Sequence, residues 1–193
     1  MDPVNCNTFS QWWHAAKSNA VYAEAYGEYG SPQDLWENSK TCAHMFWLLR
    51  AIGYTNGPKL RLFAAACANR HKGLFGPAAL WAVHIARRFA GGRVTDEELD
   101  AARAAVEKEK TERLTALADD WRGQMYRDAV YYAESSACHT LALFTDDPVW
   151  DAKEAAEAAC HFAPSGKWEA KELRRRITWG EIAPLVAARF TDA

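Results

Sequence analysis

The sequence predicts an all-α protein: a compact multi-helix bundle of stacked helical hairpins, about seven to nine helices in all. Three observations lead there. Apolar residues recur at helical spacing through most of the chain, set among many alanines. Gly- and Pro-bearing stops such as YGEYGSP, GYTNGP and AGG cut that pattern into helix-length segments. Nothing in the chain reads as a long strand.

The elements follow in order. A first helix is expected over residues 8–26, capped by Thr8 or Ser10, with Phe9, Trp12, Trp13, Ala16 and Ala20 on its apolar side. Gly27 and Gly30 end it, and Ser31-Pro32 opens a second helix that runs to Ile52. Leu35, Trp36, Met45, Phe46, Leu48 and Leu49 are its inner residues. After the turn at 53–58, a third helix runs from Pro58 to Lys72 with Leu62, Phe63, Ala66 and Cys67 on the packed side. The fourth, from Pro77 to Phe89, places Leu80, Trp81, His84 and Ile85 near one stripe.

Thr95 and Glu98 stand at capping-box spacing and open a long helical stretch from Asp96 to Leu143. Unbroken, it would span roughly 70 Å at 1.5 Å per residue, so a break is expected near 119–123, with a new helix from Trp121 to Phe144. Asp147-Pro148 starts the next helix, which ends by Ala163. The tail holds a basic helix, KWEAKELRRRI, and a last one over residues 181–190, with Pro184 in its first turn. Residues 1–163 are taken as the main helical domain and 164–193 as a short helical extension packed on it.

A chain of 193 residues is long enough to bury roughly 70% of its extended surface without a metal or disulfide. The net charge of −2 argues against a general nucleic-acid binder. No apolar run is long enough to span a membrane, and the N-terminus lacks the pattern of a signal peptide, so a cytoplasmic location is expected. Five widely spaced cysteines read as free thiols, with Cys67 and Cys160 as buried small hydrophobes. Nine tryptophans are unusual, and most are expected to fill gaps between Ala-rich helices.

Two blocks carry a resemblance: KLRLFAAACANR at 59–70 and AVHIARRFAGGRVTDEELDAARAAVEKE at 82–109. Together they resemble a family of Ala/Trp-rich helical proteins of bacterial and phage genomes, some of them provisionally labelled immunity proteins. The resemblance covers residues 58–162 and leaves out the first thirty residues and the tail. It implies a small interaction protein and supplies no catalytic residue.

Several other residue groups have both a chemical and a plainer reading. Cys138-His139 and Cys160-His161 offer zinc-type ligands on neighbouring helices, but consecutive helical residues diverge by about 100°. Cys42 and His44 diverge likewise, and no cysteine sits in an oxyanion-forming turn. Glu97 and Asp100, and Glu154 and Glu157, have the spacing of helix carboxylates in metal hydrolases. The plainer reading gives the first group to helix capping and the second to a polar face. Phosphate-loop, nucleophile-elbow and zinc-protease motifs are missing, so no cofactor and no catalytic residue are assigned.

The expected function is therefore a non-enzymatic protein-interaction module, such as an immunity, inhibitor or anti-defence protein. Trp12 and Trp13 are candidate surface anchors, because adjacent helical residues diverge, and Tyr22 and Tyr26 follow them. One alternative is a nucleic-acid-associated protein using the basic run Arg174, Arg175 and Arg176. The other is a divalent-metal hydrolase using the helix carboxylates.

Overall fold

The computed structural model describes residues 6–18, 28–117, 124–141, 148–160 and 167–191. Ten α-helices and no strand occur among them. These are α1 (Phe9–Ser18), α2 (Pro32–Asn38), α3 (Cys42–Ala51), α4 (Gly57–Asn69), α5 (Pro77–Ala90), α6 (Asp96–Ala116), α7 (Gln124–Leu141), α8 (Pro148–Cys160), α9 (Lys167–Arg176) and α10 (Trp179–Arg189). A short 3-10 turn, Lys72–Leu74, joins α4 to α5. No helix among the described residues is long and apolar enough to cross a membrane.

The helix count exceeds expectation because the segment 32–52 is two helices. Ser39, Lys40 and Thr41 break it. Thr41 caps α3 by accepting the Ala43 N–H, and the Ser39 hydroxyl donates to the Thr41 carbonyl at 2.8 Å. Side chains of this kind compete with the helical ladder for backbone groups. Elsewhere the local signals act as expected. Pro32, Pro58 and Pro77 stand in first turns, and the Thr95–Glu98 capping box is complete. Helices α3 and α5 both end in a Schellman arrangement on a glycine of positive φ. Gly53 and Tyr54 donate to Arg50 and Leu49, and Gly92 and Arg93 donate to Phe89 and Arg88. The last helix begins at Trp179, which puts Pro184 in its second turn rather than its first.

Alanine patterning decides how these helices assemble. Helix α4 is the centre, packing on α5, α7, α8 and α9. One side of it, Leu60, Phe63, Ala64 and Cys67, joins an aromatic-rich core shared by α1, α2, α3, α8, α9 and α10. The other side, Ala65 and Ala68, joins a small-residue core with Ala79, Ala82 and Ala86 of α5, Leu99, Ala102 and Val106 of α6, and Ala137 of α7. Leu62 and Ala66, expected on the packed side, are half-buried, while Arg61 is buried. Its guanidinium lies 4.7 Å over the Phe89 ring. Burial and the nearby Arg103 push Arg61 down to about 10, against the pull of Asp151 and Asp96.

Polar groups fix the packing at a few points. Glu109 of α6 reaches the start of α5 and accepts the Ala78 N–H at 2.7 Å and the Ala79 N–H at 3.3 Å. Helix α5 has no side-chain cap of its own, so this carboxylate takes that role. Gly76 makes room for it: a Cβ there would lie within 2.6 Å of the Glu109 carboxylate. Ser136 of α7, fully buried, donates to the Ala155 carbonyl of α8 at 2.9 Å.

The tail shares the aromatic core. Ala170, Leu173, Ile177, Ile182, Val186 and Phe190 belong to the same cluster as α1 to α4. The two ends of the described chain meet. Thr191 N–H donates to the Asn7 carbonyl at 2.9 Å, Arg189 donates to the Cys6 carbonyl at 2.7 Å, and Phe190 stands edge-on to Phe9 at 5.9 Å.

Candidate functional site

Helix α5 is built inside out by the usual measure of residue size. Its buried residues are Ala79, Ala82, Val83, Ile85 and Ala86. Small side chains there let α4, α6 and α7 approach closely. The large residues are left on the opposite side: Leu80 is 47% and Trp81 41% exposed, and His84, Arg87 and Arg88 are exposed along the same face. The sequence stripe of Leu80, Trp81, His84 and Ile85 is thus divided, with only Ile85 inside. The signal that locates the face is the alanine spacing at 79, 82 and 86, which marks the buried side.

Other exposed aromatics are engaged. Trp150 lies between the Arg50 guanidinium at 5.5 Å and the Lys153 ammonium at 4.4 Å. Tyr131 stands against Tyr132 at 5.2 Å, with the Lys110 ammonium 6.0 Å above it. Among the described residues Trp81 has no ring or cation partner. Arg88 donates to the Arg93 carbonyl at 3.3 Å, and Arg87 forms no ion pair among the described residues. Helix α5 contains no acidic residue. Its outer face therefore combines an uncovered apolar pair with positive charge.

The predicted anchors lie elsewhere. Trp12 and Trp13 are 4% and 3% exposed, so they are core residues and not surface anchors. The two rings pack on each other at 5.9 Å and both meet Phe9, and each has further aromatic neighbours of its own. Trp12 packs on Phe9 and Phe190, at 5.7 Å from each. Trp13 packs on Tyr29 at 5.2 Å, His44 at 5.3 Å and Trp47 at 6.2 Å. Tyr22 and Tyr26 lie outside the described residues.

The basic run is largely engaged within the fold. Arg174 donates its Nε to the Trp36 carbonyl at 2.7 Å and an Nη to the Ser39 carbonyl, binding the C-terminal end of α2. Arg175 grips Glu172 in a two-pronged pair at 2.8 Å, and Arg176 donates to the same carboxylate at 2.7 Å. Arg175 beside it is the main reason the Glu172 carboxyl is held below its ordinary value.

A second feature is a cleft of about 390 Å³ lined by Glu28, Tyr29, Asp34, Asn38, Lys40, Thr41 and His44. At its base the Tyr29 hydroxyl lies 3.0 Å from His44 Nδ1 and donates to Ser39 Oγ at 3.2 Å. Asp34 is tied to Asn38 and to the Gly30 N–H, and these bonds hold its carboxyl low. Glu28 pairs with Lys17. The polar groups of the cleft thus largely satisfy one another, with buried Ser39 and His44 as a structural link between α2 and α3.

Burial pushes His44 down to about 4. The unfolded chain protonates it near 6.5, so its neutral form supports folding above that value. That support is lost as pH falls from 6.5 towards 4, by on the order of 1–3 kcal/mol, the lower end applying where cleft water screens the ring. Urea unfolding at pH 7 and pH 4.5 is expected to show a larger stability drop for the native chain than for His44→Asn. Equal drops would mean that His44 takes up its proton as readily in the fold as in the unfolded chain.

Cys6, Cys42 and Cys67 are buried thiols. The side chains of Cys138, His139 and Cys160, and residue His161, lie outside the described residues. No three His, Cys, Asp or Glu side chains among the described residues stand close enough together to hold a metal ion. Glu98, next to Glu97, works in the capping box, and Glu154 and Glu157 both pair with Lys153. No family model, curated protein or solved structure matches this chain, so the likeness carried by residues 59–70 and 82–109 rests on those residues alone.

Proposed function

We propose that this protein is a non-enzymatic interaction module of the cytoplasm that covers a surface of another protein, as an immunity, inhibitor or anti-defence protein does. The observation that carries the reading is the uncovered Leu80–Trp81 pair on α5. A Trp with a neighbouring aliphatic residue, rimmed by polar groups, is the composition of an interface anchor. Folding gains little from leaving these side chains in water.

The test is capture of partners from nuclease-treated lysate of the source cells with the native chain and with Leu80→Ala/Trp81→Ala. A stoichiometric protein partner is expected with the native chain and lost with the variant. The variant's melting temperature should stay within about 4 °C, since exposed positions usually contribute under 0.5 kcal/mol. A partner retained by the variant at full yield would remove α5 from the interface.

A further inference from the structure

We infer that the α5 face receives an acidic amphipathic helix of a partner protein, an inference that rests on the interaction reading above and names its chemistry. Charge and register along α5 point to this occupant. Leu80 and Trp81 occupy the N-terminal half of the face, and His84, Arg87 and Arg88 the C-terminal half. From Leu80 to Arg88 the face extends about 12 Å at 1.5 Å per residue, or just over two turns of an opposing helix.

Part of the basic end has a local role. Basic residues in a last turn offset the helix dipole, and Arg88 also bonds the Arg93 carbonyl. That role does not extend to Leu80 and Trp81, nor to the lack of any acid on α5. A partner that buried the apolar pair would bring its own polar flank over Arg87 and His84. A basic flank would leave like charges facing one another at close range, whereas carboxylates would pair with an arginine that has no ion pair among the described residues. A helix supplies apolar residues and carboxylates on one face at i, i+3, i+4 and i+7, matching the spacing of Trp81, His84 and Arg88. The acids that open α6, Asp96 and Glu97, begin past the glycine stop that ends α5.

The probe is a labelled synthetic helical peptide with leucine at i, i+3, i+4 and i+7 and glutamate elsewhere, beside a twin in which lysine replaces every glutamate. Binding to the full chain is read by fluorescence anisotropy at low and physiological salt. The glutamate peptide is expected to bind, to weaken with salt, and to lose about tenfold or more in affinity to Arg87→Glu/Arg88→Glu and to Trp81→Ala. The lysine twin is expected not to bind the native chain. Failure of the glutamate peptide, equal binding of the twin, or indifference to Arg87→Glu/Arg88→Glu would each overturn the inference. A photo-crosslinker placed at His84 separates this from failure of the broader reading. If it traps a protein in lysate while the glutamate peptide does not bind, α5 is an interface for a partner of other chemistry.

Discussion

Replacing Arg70 with alanine is expected to destabilise the fold by about 3–5 kcal/mol, far more than its surface position suggests. Its partner explains the size. Glu169 is 0% exposed, and one carboxylate oxygen pairs with Arg70 while the other is buried without a hydrogen bond among the described residues. The Arg70 guanidinium also covers the Trp168 ring at 4.6 Å. Removing the arginine leaves a carboxylate inside the aromatic core with nothing to offset its lost hydration. Replacing both groups together, Arg70→Met with Glu169→Leu, is expected to restore native stability or exceed it, because the apolar pair carries no dehydration cost. Urea titrations of the single and double variants give the answer. A single-variant loss below about 1 kcal/mol would show that water reaches Glu169.

Phe63→Ala is expected to cost about 3–5 kcal/mol, by a different route. Phe63 is 0% exposed at the centre of α4 and meets Phe46 edge-on at 5.5 Å. Helix α4 packs against α5, α7, α8 and α9 and meets α3 through Phe46, so its neighbours cannot collapse into the space without parting from one another. Denaturant unfolding of Phe63→Ala, with Phe63→Leu as the milder deletion, measures the effect. A loss near 1 kcal/mol would mean that the surrounding helices relax around the gap.

The sequence made the helices legible because their boundaries are written in adjacent residues. Pro32, Pro58, Pro77 and the Thr95–Glu98 pair act within one turn, and so do the glycine stops at 53 and 92. The inner residues of 32–52 were legible for the same reason, since Leu35, Trp36, Met45, Phe46, Leu48 and Leu49 are all buried. What depended on distant partners was not legible. Trp12 is covered by Phe190, from the far end of the chain. Arg174 reads in the sequence as part of a basic run because its acceptors, the Trp36 and Ser39 carbonyls, lie 138 and 135 residues away. The stripe of Leu80, Trp81, His84 and Ile85 carries no sign of which side faces in, because that depends on closely packed neighbours that take the alanines.

The contact of Phe9 and Trp12 with Phe190 has a consequence for biosynthesis. Helix α1 is synthesised well before α10, yet Phe9 and Trp12 find one of their walls only in Phe190. At 5–20 residues per second, translation from Phe9 to Phe190 takes roughly 9–36 s. For that interval Phe9 and Trp12 wait for Phe190. The packing of this corner thus waits on α10, and a ribosome stalled before that helix would hold a nascent chain in which Phe9 and Trp12 lack the Phe190 wall while Trp13 already has Tyr29, His44 and Trp47.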